Sequence, residues 1–220
     1  MRFMLPKIIV LLISALWFAP ISVIGQEKFR FFDYYHQRVS QFNKVPFNTG
    51  EIIFLGDSIT DHGEWHEFFP DHNVINRGIG GDNTVGLRHR IEQIYKRKPA
   101  KVFLMIGVND LFANRTPQKV AKGVAQILDS LLIHTPDTEI YLQSLLPTRR
   151  IDGIDNEVVK AVNVELEKLA SEKKLPFINL YSLFESEDGM LSQKYTSDGI
   201  HLNGAGYQHW VNQIHTLLVN

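Results

Sequence analysis

The amino-acid sequence predicts an α/β fold, a three-layer α/β/α sandwich around about five parallel strands. Two observations predict it. Short apolar runs alternate with longer amphipathic segments, and the blocks richest in Gly, Asp, Asn, Ser and His fall just after those runs or in the last loop. Residues 29–42 read as an aromatic-rich amphipathic helix. Residues 51–55, a β-branched and aromatic run ended by Gly56, form the first strand, and residues 64–69 a short helix. Residues 74–76 are the second strand and 84–97 a helix. Residues 101–106 are the third strand, followed by a helix over 117–134 with Thr116 as N-cap and Pro117 in its first turn. Residues 139–145 form strand four, 156–174 a helix, 176–180 strand five and 205–219 the closing helix. Wound this way the sheet is flavodoxin-like, and open sheets of that kind place their sites at the carboxyl ends of strands.

Composition sets the outer limits. With 220 residues, 44% hydrophobic and 21% charged, the chain can bury one substantial core, and residues 26–220 are expected to form a single domain. A net charge of -1 offers nothing that would attract nucleic acid or an anionic membrane. A basic start from Met1 to Lys7, an apolar run over residues 8–18 and a polar turn at Gln26 give residues 1–25 the layout of a secretory signal peptide. The expected location is therefore secreted or periplasmic, with no stable membrane insertion after cleavage. An uncleaved N-terminal anchor is the alternative, opposed by Pro20 and by the shortness of the apolar run. Cysteine is absent, so neither a disulfide nor a lipid-modified thiol is available. Oligomeric state is not legible in the sequence.

Ser58 follows the first strand and its glycine, at the carboxyl end where a site is expected. A serine hydroxyl is a weak nucleophile until a base takes its proton and a third group orients the base. Asp198 and His201, three residues apart in the last loop, can supply both. Attack on an ester carbonyl places negative charge on its oxygen, which fixed donors in a dry corner stabilise. The backbone N–H groups of Ser58 and Gly81 and the side-chain amide of Asn109 are candidates. A neutral imidazole is required at His201, so activity should fall in acid.

Four blocks stand in order: Gly56-Asp57-Ser58-Ile59-Thr60; Asn76-Arg77-Gly78-Ile79-Gly80-Gly81-Asp82-Asn83-Thr84; Gly107-Val108-Asn109-Asp110; and Ser197-Asp198-Gly199-Ile200-His201-Leu202. On these blocks the chain resembles the SGNH-hydrolase superfamily, the GDSL esterases and lipases, from about Glu51 to the C-terminus. The resemblance implies that Ser58 is the nucleophile, that Ser58, Gly81 and Asn109 form the oxyanion hole, and that Asp198 and His201 complete the triad. Gly80 and Gly81 are adjacent, and the one directly before Asp82 fits the family pattern. The Gly-Ile-Gly-Gly-Asp-Asn-Thr phrasing is most similar to the platelet-activating-factor acetylhydrolase type and its bacterial relatives, which implies short acyl groups.

Each position also has a plainer reading. Ser58 can cap a helix, Asp57 can stabilise the turn, Asn109-Asp110 can be a turn signal, and Asp198 and His201 can be ordinary loop residues. His62, His66, His72, His89, His134 and His209 are expected to be solvated or partly packed. Four positions are candidate substrate-lining residues: Trp65 soon after Ser58, Arg77 and Arg149 after strand ends, and Tyr195 before the Asp-His loop. For Trp65 the competing reading is a core aromatic, and for the arginines a solvated surface role. The polar segment 148–156 is expected to border the mouth. No metal and no cofactor are expected, because the triad uses the Asp and His residues and thiolate ligands are absent. The expected function is a secreted serine esterase acting on short acyl groups such as O-acetyl on carbohydrates, with a small-molecule or glycan ester as its partner. The alternatives are a lysophospholipase or thioesterase on longer chains, or a non-catalytic glycan-binding module.

Overall fold

A computed structural model describes residues 31–48, 50–149 and 154–219; the expected leader lies outside them. In chain order the strands are β1 (Ile52–Gly56), β2 (Val74–Gly78), β3 (Lys101–Met105), β4 (Glu139–Gln143) and β5 (Phe177–Ile178). The helices are α1 (Asp33–Phe42), α2 (Ser58–Asp61), α3 (Trp65–Phe68), α4 (Thr84–Arg90), α5 (Glu92–Tyr95), α6 (Val108–Phe112), α7 (Pro117–His134), α8 (Asn156–Lys173), α9 (Tyr181–Phe184) and α10 (Gly204–Val219), with a 3₁₀ turn at Gln193–Tyr195 before α10.

All five strands are parallel, in the order β2-β1-β3-β4-β5. The chain moves one way from β1 to β2 and the other way thereafter. Right-handed crossovers therefore put α2 and α3 on one face and α4, α7 and α8 on the other. This is the doubly wound, flavodoxin-like sandwich expected from the sequence. Its switch point lies between β1 and β3, where open sheets leave a crevice beyond the strand ends.

The core explains the layers. Phe54, Phe103 and Tyr141 sit on neighbouring strands in register, with ring centroids 5.0 and 4.7 Å apart. Trp65 of α3 stacks on Phe54 at 3.9 Å and meets Trp210 of α10 edge-on at 4.8 Å, so α3 and α10 cover that face. On α7, the first turn is capped as expected, with the Thr116 hydroxyl accepting from the Lys119 N–H and Pro117 at the start.

Several bounds differ from the expectation. The helix expected over 84–97 is two helices, because the backbone tightens around Ile91 into i→i+3 bonds from Ile91 to Arg88 and from Ile94 to Ile91. β4 stops at Gln143 because the Asn163 side chain takes over the Leu145 N–H and C=O at 2.8 and 3.0 Å. β5 has two residues only, since the Leu180 N–H turns back to the Ile178 carbonyl and Tyr181 N–H is held by Ser144 Oγ. The short helices α2, α6 and α9 and the 3₁₀ turn were not anticipated.

Candidate active site

Ser58 opens α2. Asp57 is the N-cap and accepts the Ile59 N–H on Oδ1 at 3.0 Å, the turn-stabilising role expected of it. A side chain at Gly56 would collide with the Met105 carbonyl and the Thr60 hydroxyl, both 2.3 Å from where its Cβ would stand. Glycine there lets β1, β3 and α2 converge.

The last loop brings Asp198 and His201 to that serine. His201 Nε2 lies 2.9 Å from Ser58 Oγ, and Nδ1 lies 2.6 Å from Asp198 Oδ2. Asp198 Oδ1 accepts the N–H groups of Ile200 and His201 at 2.9 and 2.8 Å. Burial opposes ionisation of Asp198, but the His201 hydrogen bond and those two amides outweigh it and hold the carboxyl well below its usual range. The Thr196 hydroxyl closes the loop by donating to the His201 carbonyl and accepting the Gly199 N–H. Behind it, Tyr207 of α10 donates to the Ile59 carbonyl at 2.8 Å, joining the helix after the loop to the helix that carries Ser58.

The other candidate donors come from the blocks after β2 and β3. The Asn109 amide donates one hydrogen to the Asp82 carbonyl at 2.8 Å, which orients the group and leaves its second N–H for a ligand. Gly80 donates its N–H to Asp61 Oδ2 at 3.0 Å, whereas the N–H groups of Ser58 and Gly81 donate to no other described residue. Gly81 has φ +77°, and a Cβ there would come 3.0 Å from the Phe32 ring, so the position calls for glycine on both counts.

A buried charge network fixes these donors. Arg90, fully buried, donates to Asp82 Oδ2 at 2.8 Å and to the carbonyls of Arg77 and Gly56 at 3.0 and 3.1 Å. Asp110 receives the Thr84 N–H at 2.9 Å, the Thr84 hydroxyl at 2.6 Å and Arg115 at 2.7 Å. The block after β2 is thereby bolted to the block after β3. Burial pushes the Asp82 carboxyl up despite Arg90, and pushes Asp57 up to about 7.

The four candidate lining residues fall elsewhere. Trp65 is 0% exposed, with its indole N–H on the Thr60 carbonyl, so it is core. Arg77 points away from the site to lie 4.6 Å over the Phe42 ring under α1; burial first, then Arg97, pushes it down to about 10, against Glu51. Arg149 ties the 185–191 turn by donating to Ser186 and Asp188, both at 2.8 Å, and its N–H holds the Gly199 carbonyl. Tyr195 stacks on His209 at 4.7 Å and meets Phe184 edge-on. Both Arg149 and Tyr195 support the catalytic loop from behind. Of the segment 148–156, residues 150–153 lie outside the described residues.

Two features escaped sequence reasoning. His62 is exposed, and its ring centroid lies 5.0 Å from that of His201; its place four residues after Ser58 was the available signal. His62 and His66 also stand at His-x-x-x-His spacing, a metal-ligand pattern that the motif reading passed over. The structure separates their roles: His66 faces Glu67 at 3.8 Å instead, and with Glu64 these form the one group of exposed acidic and imidazole side chains close enough to share a cation among the described residues.

A doubly wound sheet with a Ser-His-Asp arrangement facing a donor-lined corner at its switch point is the architecture of an α/β-sandwich ester hydrolase. Comparison with known proteins agrees. The model of the GDSL-like Lipase/Acylhydrolase family matches residues 54–209, and the chain belongs to that family. It is 27% identical over 182 residues to human platelet-activating factor acetylhydrolase IB subunit alpha2, covering 77% of this chain and 76% of the relative. A solved structure from Streptococcus pneumonia, named for platelet activating factor, is 26% identical with a TM-score of 0.77, covering 84% of this chain and 92% of that one. A variant of Axe2, an acetyl-xylooligosaccharide esterase from Geobacillus Stearmophilus, shares the fold at 18% identity and a TM-score of 0.63, covering 78% of this chain and 94% of that one. The protein is a GDSL-type acylhydrolase.

Proposed function

We propose that Ser58 attacks the carbonyl of a short-chain ester, with His201 as its base, and that water then hydrolyses the acyl-Ser58 intermediate. The single observation that carries this reading is the continuous path from Asp198 through His201 to Ser58, with steps of 2.6 and 2.9 Å. In the first step the Ser58 proton passes to Nε2 as Oγ bonds to the carbonyl carbon. The imidazolium returns that proton to the departing alkoxide; in the second step His201 takes a proton from water as the water oxygen bonds to the acyl carbon, then gives it to Ser58 Oγ as the acyl–Oγ bond breaks. Negative charge on the tetrahedral oxygen meets the N–H groups of Ser58 and Gly81 and the free N–H of Asn109.

Acetyl esters of carbohydrates are the proposed substrates. The acetylhydrolase relatives and the acetyl-xylooligosaccharide esterase neighbour support a small acyl group. Residues 1–25 have the layout of a leader, which supports a secreted or periplasmic location. Acetate release from O-acetylated xylo-oligosaccharides, compared with fatty-acid release from a lysophospholipid, tests the substrate class. N-terminal sequencing of the exported chain tests the leader. Preference for the lysophospholipid, or an intact N-terminus in the exported protein, overturns the corresponding part.

A further inference from the structure

Helix α1 lies outside the segment that the family model matches, yet it reaches the oxyanion loop. The link is Asp61, three residues after Ser58 on the same short helix and 6% exposed at its side chain. Oδ2 accepts the Gly80 N–H at 3.0 Å and the Tyr34 hydroxyl at 2.6 Å, and Oδ1 accepts Arg38 at 3.1 Å. Tyr34 and Arg38 stand four residues apart on one face of α1, so a single helix face grips the carboxylate from both sides. α2 is held still from below, because the Asn76 amide donates to the carbonyls of Thr60, Asp61 and Gly63 at 3.0, 2.9 and 2.9 Å.

Gly80 and Gly81 are adjacent, and each carries one backbone N–H that can serve as a donor in this corner. Asp61 takes the Gly80 N–H, which leaves the neighbouring Gly81 N–H without a partner among the described residues. A side chain at Gly80 would meet the Tyr34 ring at 3.5 Å, Asp61 Oδ2 at 3.6 Å and Ser58 Cβ at 3.8 Å, which places the carboxylate, α1 and the nucleophile around one peptide. Phe32, just before α1, packs over Gly81 itself. We propose that Asp61 is a positioning residue that selects Gly81 as the oxyanion donor, and that Tyr34 and Arg38 make α1 part of the catalytic apparatus by holding Asp61 in place. This rests on the reading of Ser58 and Gly81 given above.

A misaimed oxyanion donor weakens the transition state and leaves ground-state binding alone, so the signature is kcat without KM. Asp61→Ala is expected to lower kcat on an aryl acetate by about 10-fold or more, less than the roughly 100-fold to 1,000-fold of deleting a donor outright. KM should stay nearly constant. Asp61→Asn keeps an acceptor for Gly80 but turns its NH₂ toward Arg38, so it should recover part of the loss. Tyr35→Phe is the stability control: it removes the Tyr35 hydrogen bond to the Gly86 carbonyl, which fastens α1 to α4. This variant should lower the melting temperature and keep kcat. If Asp61→Ala does not fold, Asp61→Asn and Tyr34→Phe carry the test, each expected to lower kcat with KM unchanged. Unchanged kcat in the folded Asp61 variants, or an equal loss in Tyr35→Phe, overturns the positioning role while leaving the esterase reading intact. A parent protein with no Ser58-dependent turnover overturns both.

Discussion

Replacing Asp57 by asparagine should remove a loss of stability that sets in as pH rises toward neutrality. The Asp57 carboxyl is fully buried; Oδ1 accepts the Ile59 N–H, and Oδ2 has no hydrogen-bond partner among the described residues. Burial pushes the group from 3.8 up to about 7; the Ile59 amide opposes the shift, and the carboxylates of Asp82 and Asp110 add to it. The folded state therefore holds this proton more tightly than the unfolded chain. Between those two values the native protein keeps a proton that the unfolded chain has lost, so stability falls as pH rises through the window. At about 1.4 kcal/mol per unit, the full shift costs up to about 4 kcal/mol once pH exceeds the folded value. Asparagine is neutral throughout and keeps the acceptor for Ile59. The variant's stability relative to the parent should rise by roughly 2–4 kcal/mol between about pH 4 and about pH 8, measured as the difference in urea unfolding free energy, on top of a pH-independent cost of burying its NH₂ where Oδ2 has no partner among the described residues. Parallel pH profiles for the two proteins would refute a protonated, buried Asp57.

Other perturbations separate catalysis from architecture. Asn109→Ala should lower kcat by on the order of 100-fold to 1,000-fold at nearly constant KM, because its free N–H acts only on the charged oxygen; a KM effect alone would contradict this. Arg90→Met should cost about 3–5 kcal/mol in urea unfolding, since it leaves Asp82 buried and unpaired, and a loss under about 1 kcal/mol would show that the pair is dispensable. Trp65→Ala should cost about 3–5 kcal/mol through the cavity it leaves against Phe54 and Trp210, without raising KM on an aryl acetate. A raised KM with unchanged stability would return Trp65 to the pocket wall.

The legible features were the local ones. Ser58, Gly81 and Asn109 each follow a strand end, and Asp198 and His201 share one loop, so short motifs, read with the family resemblance that singled out Gly81, named these residues. The alternation of strands and helices gave the parallel sandwich, because buried strands are continuous apolar runs that periodicity detects. Long-range pairings were not legible. Nothing local says that Tyr34 will meet Asp61, that Arg90 will reach Gly56, or that Asp110 will seat Thr84. Trp65 carried two readings, because an aromatic soon after the nucleophile suits both a pocket and a core, and the structure bears out the core one. Its orientation is decided by the Phe54 ring two strand positions before Gly56. Arg77 and Arg149 were misplaced because a strand end fixes where a backbone stops and leaves open which face its side chain takes. The short helices α2, α6 and α9 carry too few residues to show a period.

Initial rates on aryl acetate and aryl octanoate, measured beside Ser58→Ala, test most directly whether Ser58 and His201 form a short-chain esterase site. The expected result is rapid turnover of the acetate, slow turnover of the octanoate, and a loss on the order of 10,000-fold or more in the variant. Equal rates for parent and variant on the acetate would contradict a nucleophilic role for Ser58, and faster turnover of the octanoate would contradict the short-chain assignment.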